Sequence, residues 1–169
     1  MSMVGPETAL AGIRLVAFDV DGVFTDGRFY LSDEGVESKA FSTQDGYGVR
    51  RLLQAGIEVA VISGRSSAAV DRRMQELGVS HVIQACKDKV AAFDELIAGL
   101  GIDAADCAFV GDDMPDLALL EHVGLSIAVA NAVQAVQERC DHVTRRPGGF
   151  GAVREVCDLV AAARSDRAE

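Results

Sequence analysis

The chain is short of positive charge. Its 169 residues hold 16 Lys and Arg against 26 Asp and Glu, a formal net charge of −10 with a pI near 4.7. Nucleic acids and anionic membrane surfaces both need a basic face, so neither is expected as a partner, and an anionic substrate must be met by local cations. Cysteine is sparse as well: Cys86, Cys107, Cys140 and Cys157 stand far apart, with no C-x-x-C, and His81, His122 and His142 share no motif. That argues against a zinc site or a disulfide framework and for reduced, buried thiols in a cytoplasmic protein, with histidines used for packing. No apolar run reaches the ~18 residues of a membrane span. Residues 1–11 lack the basic start and apolar centre of a signal peptide.

What is present is enough apolar side chain, 49% of the residues, to bury one core. A single domain over residues 12–164 is expected, with 1–11 and 165–169 as terminal tails. Its organising stretch is residues 13–26, in which the apolar run Leu15-Val-Ala-Phe18 is followed at once by Asp19, Asp21 and Gly22. Such a run reads as a buried parallel strand that delivers two carboxylates to its C-terminal edge, where open α/β sheets place their chemistry. Alternation turns both carboxylates to one face, and two like charges there are costly unless a cation lies between them. The pair reads as half of a metal site.

Residues 27–42 carry a β-hairpin signal, two short strands around Ser32-Asp-Glu-Gly35. From Asp45 the spacing of Val49, Leu52 and Leu53 predicts a helix ended by Gly56. Further strands are expected at 57–62, 79–83, 107–110, 125–129 and 142–144. Further helices are expected at 67–77, 87–100, from after Asp116 to about 122, at 133–139 and at 150–163. Strands alternating with helices in this way predict a doubly wound, mostly parallel α/β sheet with the hairpin protruding from it. The 41 residues between Asp21 and Ser63 are nearly all used by these elements, which leaves no room for a cap domain.

Successive strand ends supply Asp19 and Asp21, then Ser63, then Lys89 at a helix start with Lys87 as competitor, then Asp112, Asp113 and Asp116. Ser63 taken alone is also an ordinary helix-entry residue, and Asp113 and Asp116 also suit a helix N-terminus. The ordered set resembles the four motifs of the haloacid dehalogenase superfamily of phosphohydrolases, over about the whole chain. The resemblance implies Mg²⁺ held by Asp19, Asp112 and the backbone carbonyl of Asp21, with Asp19 as the nucleophile that becomes phosphorylated. Asp21 is then the general acid and base. Ser63 and the N–H groups near Gly22 and Gly64 bind phosphoryl oxygens, and Lys89 adds positive charge. Asp113 and Asp116 would orient metal waters or Lys89.

Within that superfamily, Asp19-Val-Asp-Gly-Val-Phe-Thr-Asp26, the hairpin, Phe41-Ser-Thr-Gln-Asp-Gly-Tyr-Gly48, Ile62-Ser-Gly-Arg65, Gly111-Asp-Asp-Met-Pro-Asp116 and Gly148-Gly-Phe-Gly-Ala-Val-Arg-Glu155 narrow the match. They are similar to the family of 3-deoxy-D-manno-octulosonate 8-phosphate (Kdo 8-phosphate) phosphatases, which release Kdo for lipopolysaccharide. That likeness implies a capless homotetramer whose hairpins form a central barrel and whose subunits cover one another's sites. It also implies a small acid sugar phosphate as substrate, contacted by Ser42, Thr43, Gln44, Asp45, Gly46, Arg50, Ser63, Gly64, Arg65, Arg73 and Lys89 together with Asp21. Arg65 is suited to a carboxylate through its paired donors. Gln44, Ala85 and Lys87 depart from the family's usual residues. Rival readings are a phosphatase for a nine-carbon acid sugar 9-phosphate, a non-catalytic oligomeric scaffold, and a phospho-accepting receiver domain. A receiver carries its phosphorylated Asp on a middle strand, where this chain has Ser63.

Overall fold

The strand that begins the motif lies at the centre of the fold. A computed structural model describes residues 6–166, and in it β1 (Leu15–Phe18) is buried at every position. It pairs in parallel with β4 (Glu58–Ile62) on one side and β6 (Cys107–Gly111) on the other. With β5 (His81–Ile83), β7 (Leu125–Ala128) and β8 (His142–Val143) these make one six-stranded parallel sheet in the order β5-β4-β1-β6-β7-β8. Strands covered on both faces need near-continuous apolar sequence, which Leu15-Val-Ala-Phe18 and Glu58-Val-Ala-Val-Ile62 provide.

Register decides where the chemistry sits. Phe18 is level with Val61 and with Val110, so the residues that follow all three strands emerge together at one edge. The Asp19 N–H then donates to the Val110 carbonyl at 3.0 Å, which carries the pairing one residue into the motif.

The main helices are α1 (Pro6–Gly12), α2 (Thr43–Gln54), α3 (Ala68–Leu77), α4 (Lys89–Leu100) and α7 (Ala152–Asp166), with short α5 (Leu117–Leu120) and α6 (Gln134–Gln137). Helices α1, α2 and α7 pack together, α3 lies against α2, and α4 meets α5. The core includes Phe18, Phe24, Phe93 and Phe109, and the Phe18 and Phe24 rings meet edge to face with centroids 5.3 Å apart. Burying each such ring is worth about 1.5–3 kcal/mol. The hairpin, β2 (Tyr30–Leu31) and β3 (Glu37–Ser38), pairs only with itself.

Several boundaries differ from the sequence reading. Residues 6–12, within the segment read as a tail, form α1 against α7, and the polar end joins α7 as far as Asp166. Residues 1–5 and 167–169 of those tails lie outside the described residues. The strand expected from Val79 starts at His81, because the Val79 N–H closes the end of α3 on the Met74 carbonyl. The helix expected after Asp116 as far as about His122 ends at Leu120, and a 3₁₀ turn, Met114–Asp116, precedes it, in which Pro115 has no N–H and the Asp116 side chain turns back to the strand tip. The helix expected over 133–139 shrinks to α6, because Val133 is extended.

Candidate active site

Asp19 leaves the central strand into a nearly closed environment. One oxygen, Oδ1, accepts from the Val20 N–H at 2.7 Å and is ion-paired with Lys89 Nζ at 3.1 Å. Lys89 is the first residue of α4, whose start is fixed by the Asp88 side chain accepting from the Ala91 N–H at 3.0 Å. This cap selects Lys89 over Lys87 as the inward cation. The same ammonium reaches Asp116 Oδ1 at 2.7 Å. The other oxygen of Asp116 accepts from the Asp112 N–H at 3.0 Å. Asp116 therefore ties the Lys89 ammonium to the tip of β6.

Asp19, Asp112 and Asp116 each offer a carboxylate oxygen within 4.8 Å of the others. Burial, then the negative charge of Asp116, pushes Asp19 up to about 7 against the pull of Lys89. Burial, then Asp19 and Asp116, pushes Asp112 up to about 8. Lys89 behaves in the opposite sense, since burial works against its charge but Asp19 and Asp116 outweigh it and raise its pKa. Three crowded acids with one shared ammonium leave negative charge uncompensated, which is the donor chemistry a hard divalent cation satisfies. Asp116 has both oxygens engaged, so Asp19 and Asp112 are the two with coordinating capacity.

Gly22 lets the motif loop approach that pair. Its φ is +86°, and a Cβ there would collide with Asp112 Oδ2. The Gly22 N–H itself donates to Thr25 Oγ1 at 3.2 Å, within the loop. Asn131, missed in the sequence, clamps the loop from the far side. Its Nδ2 donates to the Gly22 carbonyl at 3.1 Å, and its Oδ1 accepts from the Gly148 N–H at 2.6 Å.

Ser63 follows β4 and is 2% exposed, its Oγ accepting from the Arg65 N–H at 3.3 Å. Asp19, Asp21, Ser63, Gly64, Arg65, Lys89 and Asp112 line one cavity of about 310 Å³. Arg65 lies 4.2 Å above the Phe29 ring and donates to Glu37 at 2.7 Å. The Asp21 carboxylate is paired with Lys39 through Oδ1. Glu37 and Lys39 were not singled out in the sequence. The signal for them is the alternation of β3 and its exit, which buries 37, 39 and 41 more than 38 and 40.

The remaining expected substrate contacts do not line this cavity within one chain. Asp45 is buried at the start of α2 and accepts from the Arg154 N–H at 2.9 Å. Gly46 packs on Arg73, and Arg50 donates to the Glu76 carbonyl at 3.0 Å. Gln44 faces a separate groove with Arg145 and Arg154, and Arg73 borders another with Arg72. Ser42 and Thr43 stand at the N-terminus of α2.

Residues 80–153 match the family of haloacid dehalogenase-like hydrolases. The chain is 48% identical over 152 residues, 90% of its own length and 81% of the relative's, to a 3-deoxy-D-manno-octulosonate 8-phosphate phosphatase of Escherichia coli K12. A crystal structure of that phosphatase from Yersinia pestis superposes with a TM-score of 0.93 at 43% identity, covering 94% of this chain and 86% of the other. A Moraxella catarrhalis structure, a complex with magnesium ion, phosphate ion and a KDO molecule, superposes with a TM-score of 0.92 at 46% identity, covering 95% and 92%.

Proposed function

Because the chain belongs to the Kdo 8-phosphate phosphatase family of haloacid dehalogenase-like hydrolases, we propose that it hydrolyses Kdo 8-phosphate to Kdo and inorganic phosphate with Mg²⁺. The observation that carries the reading is the meeting of Asp19 and Asp112 from adjacent strand tips, with Lys89 between Asp19 and Asp116. Their mutual repulsion fits a divalent ion held by Asp19, Asp112 and the backbone carbonyl of Asp21. When bound, that ion supplies charge that screens the phosphomonoester dianion.

This chain's own residues then divide the work. Asp19 attacks phosphorus through a carboxylate oxygen, and the bond from phosphorus to the sugar oxygen breaks as Asp21 gives that oxygen a proton. Water next attacks the aspartyl phosphate, Asp21 takes its proton, and the bond from Asp19 to phosphorus breaks. Ser63, the Gly64 N–H and Lys89 hold the phosphoryl oxygens. Arg65, exposed at the mouth, takes the sugar's carboxylate.

The hairpin presents Tyr30, Leu31 and Val36 at 71%, 65% and 62% exposure, outside the main sheet. Apolar residues so placed support assembly into a tetramer through this element. In such an assembly Arg50, Arg73 and the loop 42–46 could reach a substrate only from a neighbouring copy. Among the described residues no helix is long and apolar enough to cross a membrane. Cys86, Cys107, Cys140 and Cys157 are unpaired, which supports a reducing compartment such as the cytoplasm.

Phosphate release from Kdo 8-phosphate and from a nonulosonate 9-phosphate, with and without chelator, tests the reading. Faster turnover of the nine-carbon ester overturns the substrate, and turnover indifferent to chelator overturns the metal.

A further inference from the structure

The side chain of Lys39 is 1% exposed, yet it comes from a hairpin that is otherwise largely in solvent. Burying an ammonium is costly unless a carboxylate meets it, and the carboxylate here is Asp21, with Lys39 Nζ 2.5 Å from Oδ1. Glu37 stands on the other side of that ammonium at 3.4 Å and extends to Arg65, which it meets at 2.7 Å. Arg65 closes the circuit with its Nε 3.9 Å from Asp21 Oδ2. Two acids and two bases thus form a ring of zero net charge, with three of the four side chains outside the superfamily motifs' acid and base pair.

We propose that Lys39 is a positioning residue for the acid and base step. By engaging Oδ1 it fixes the rotation of the Asp21 carboxylate and leaves Oδ2, 3.9 Å from Arg65 Nε, to carry the proton to the sugar oxygen and later to receive it from water. Glu37 holds Lys39 and Arg65 at their stations. The hairpin is thereby coupled to chemistry, because the element offered for assembly also supplies the group that aims the proton donor. This rests on the proposed phosphatase reaction but not on the identity of the sugar.

The discriminating measurement compares leaving groups. An alkoxide leaves only with a proton from Asp21, whereas p-nitrophenolate leaves without one, and both esters then need Asp21 to activate water. K39M keeps the aliphatic stem and removes the charge. It should lower kcat for Kdo 8-phosphate by about 10²-fold, the scale of one general acid–base contribution, with KM changed less than threefold. With p-nitrophenyl phosphate the same variant should release a burst of one nitrophenol per active site before slow turnover. K39R should recover part of the rate and lose the burst, and E37Q should show the same pattern more weakly.

Equal losses on both esters without a burst, or an effect confined to KM, would overturn the assignment. If K39M fails to fold, E37Q carries the same burst test. If wild-type protein hydrolyses p-nitrophenyl phosphate but not Kdo 8-phosphate, the substrate fails, and the burst still decides the role of Lys39.

Discussion

Lys89 lies closer to Asp116, at 2.7 Å, than to Asp19, the proposed nucleophile, at 3.1 Å. The cation nearest the proposed nucleophile is therefore anchored by a second carboxylate. Asp116 is 1% exposed and also receives the Asp112 N–H, so it sets the spacing of two functional groups at once.

Replacing Asp116 by Ala should leave Lys89 without its nearest counter-charge. Removing one member of a buried pair costs about 3–5 kcal/mol, and D116N, which keeps an acceptor, should cost less. Denaturant unfolding with Mg²⁺ present is the check, since the ion prevents relief of acid–acid repulsion from masking the loss. A D116A protein as stable as wild type would show that Lys89 does not depend on this anchor.

Much of this arrangement is legible in the amino-acid sequence. Leu15-Val-Ala-Phe18 followed by Asp19 and Asp21 marked the central strand and its edge because full burial and an abrupt change to carboxylates are both written in side-chain type. Lys89 is chosen there by its resemblance to the family motif, while the physical reason it turns inward in place of Lys87 depends on Asp88 capping α4. Asn131 was illegible for a similar reason. It acts across 109 residues of sequence onto Gly22, and long-range pairing of a single polar residue leaves no periodic trace, whereas Lys39, 18 residues from Asp21, is marked by the alternation of β3 and its exit. Asp45 and Gly46 matched a family pattern, and within one chain they face α7 and Arg73, a placement that sequence pattern alone does not reveal.

Arg65 is held on three sides, by the Phe29 ring, by Glu37 and by Asp21. R65A should raise KM for Kdo 8-phosphate by about tenfold or more, as expected when about 1.5–3 kcal/mol of charge-assisted hydrogen bonding is lost. For a small neutral alkyl phosphate, KM should change little. Equal effects on both substrates would remove its role as the carboxylate contact.

The hairpin offers a test of assembly that leaves the sheet intact. Leu31 is 65% exposed and pairs only with Glu37 across the hairpin, so L31D disturbs no buried core residue of the single chain. Light scattering should show wild-type protein at four times the chain mass and L31D shifted toward one, with unchanged circular dichroism. A wild-type mass of one chain, or an L31D tetramer, would refute the hairpin as the assembly element.

Stability of the metal-free protein should fall as pH rises, the reverse of what paired carboxylates produce. Asp19 and Asp112 are raised from 3.8 to about 7 and about 8, so the folded state holds protons that the unfolded chain has already released. Between these limits the folded state binds more protons, and unfolding free energy must decline with pH. The decline should begin near pH 4, where the unfolded carboxyls ionise, and level off above about pH 8, when the folded pair has ionised too. Asp45, raised by burial, contributes in the same direction. Magnesium binds the ionised pair, so its stabilising effect should be small at pH 5 and large at pH 8, following the ratio of free ion to dissociation constant. Thermal unfolding at the two pH values, with and without Mg²⁺, reads both effects, and D112N should flatten the metal-free slope while abolishing the gain from Mg²⁺. A metal-free protein that grows more stable from pH 5 to pH 8 would mean that Asp19 and Asp112 do not oppose each other, and the case for a shared ion at those strand tips would fall with it.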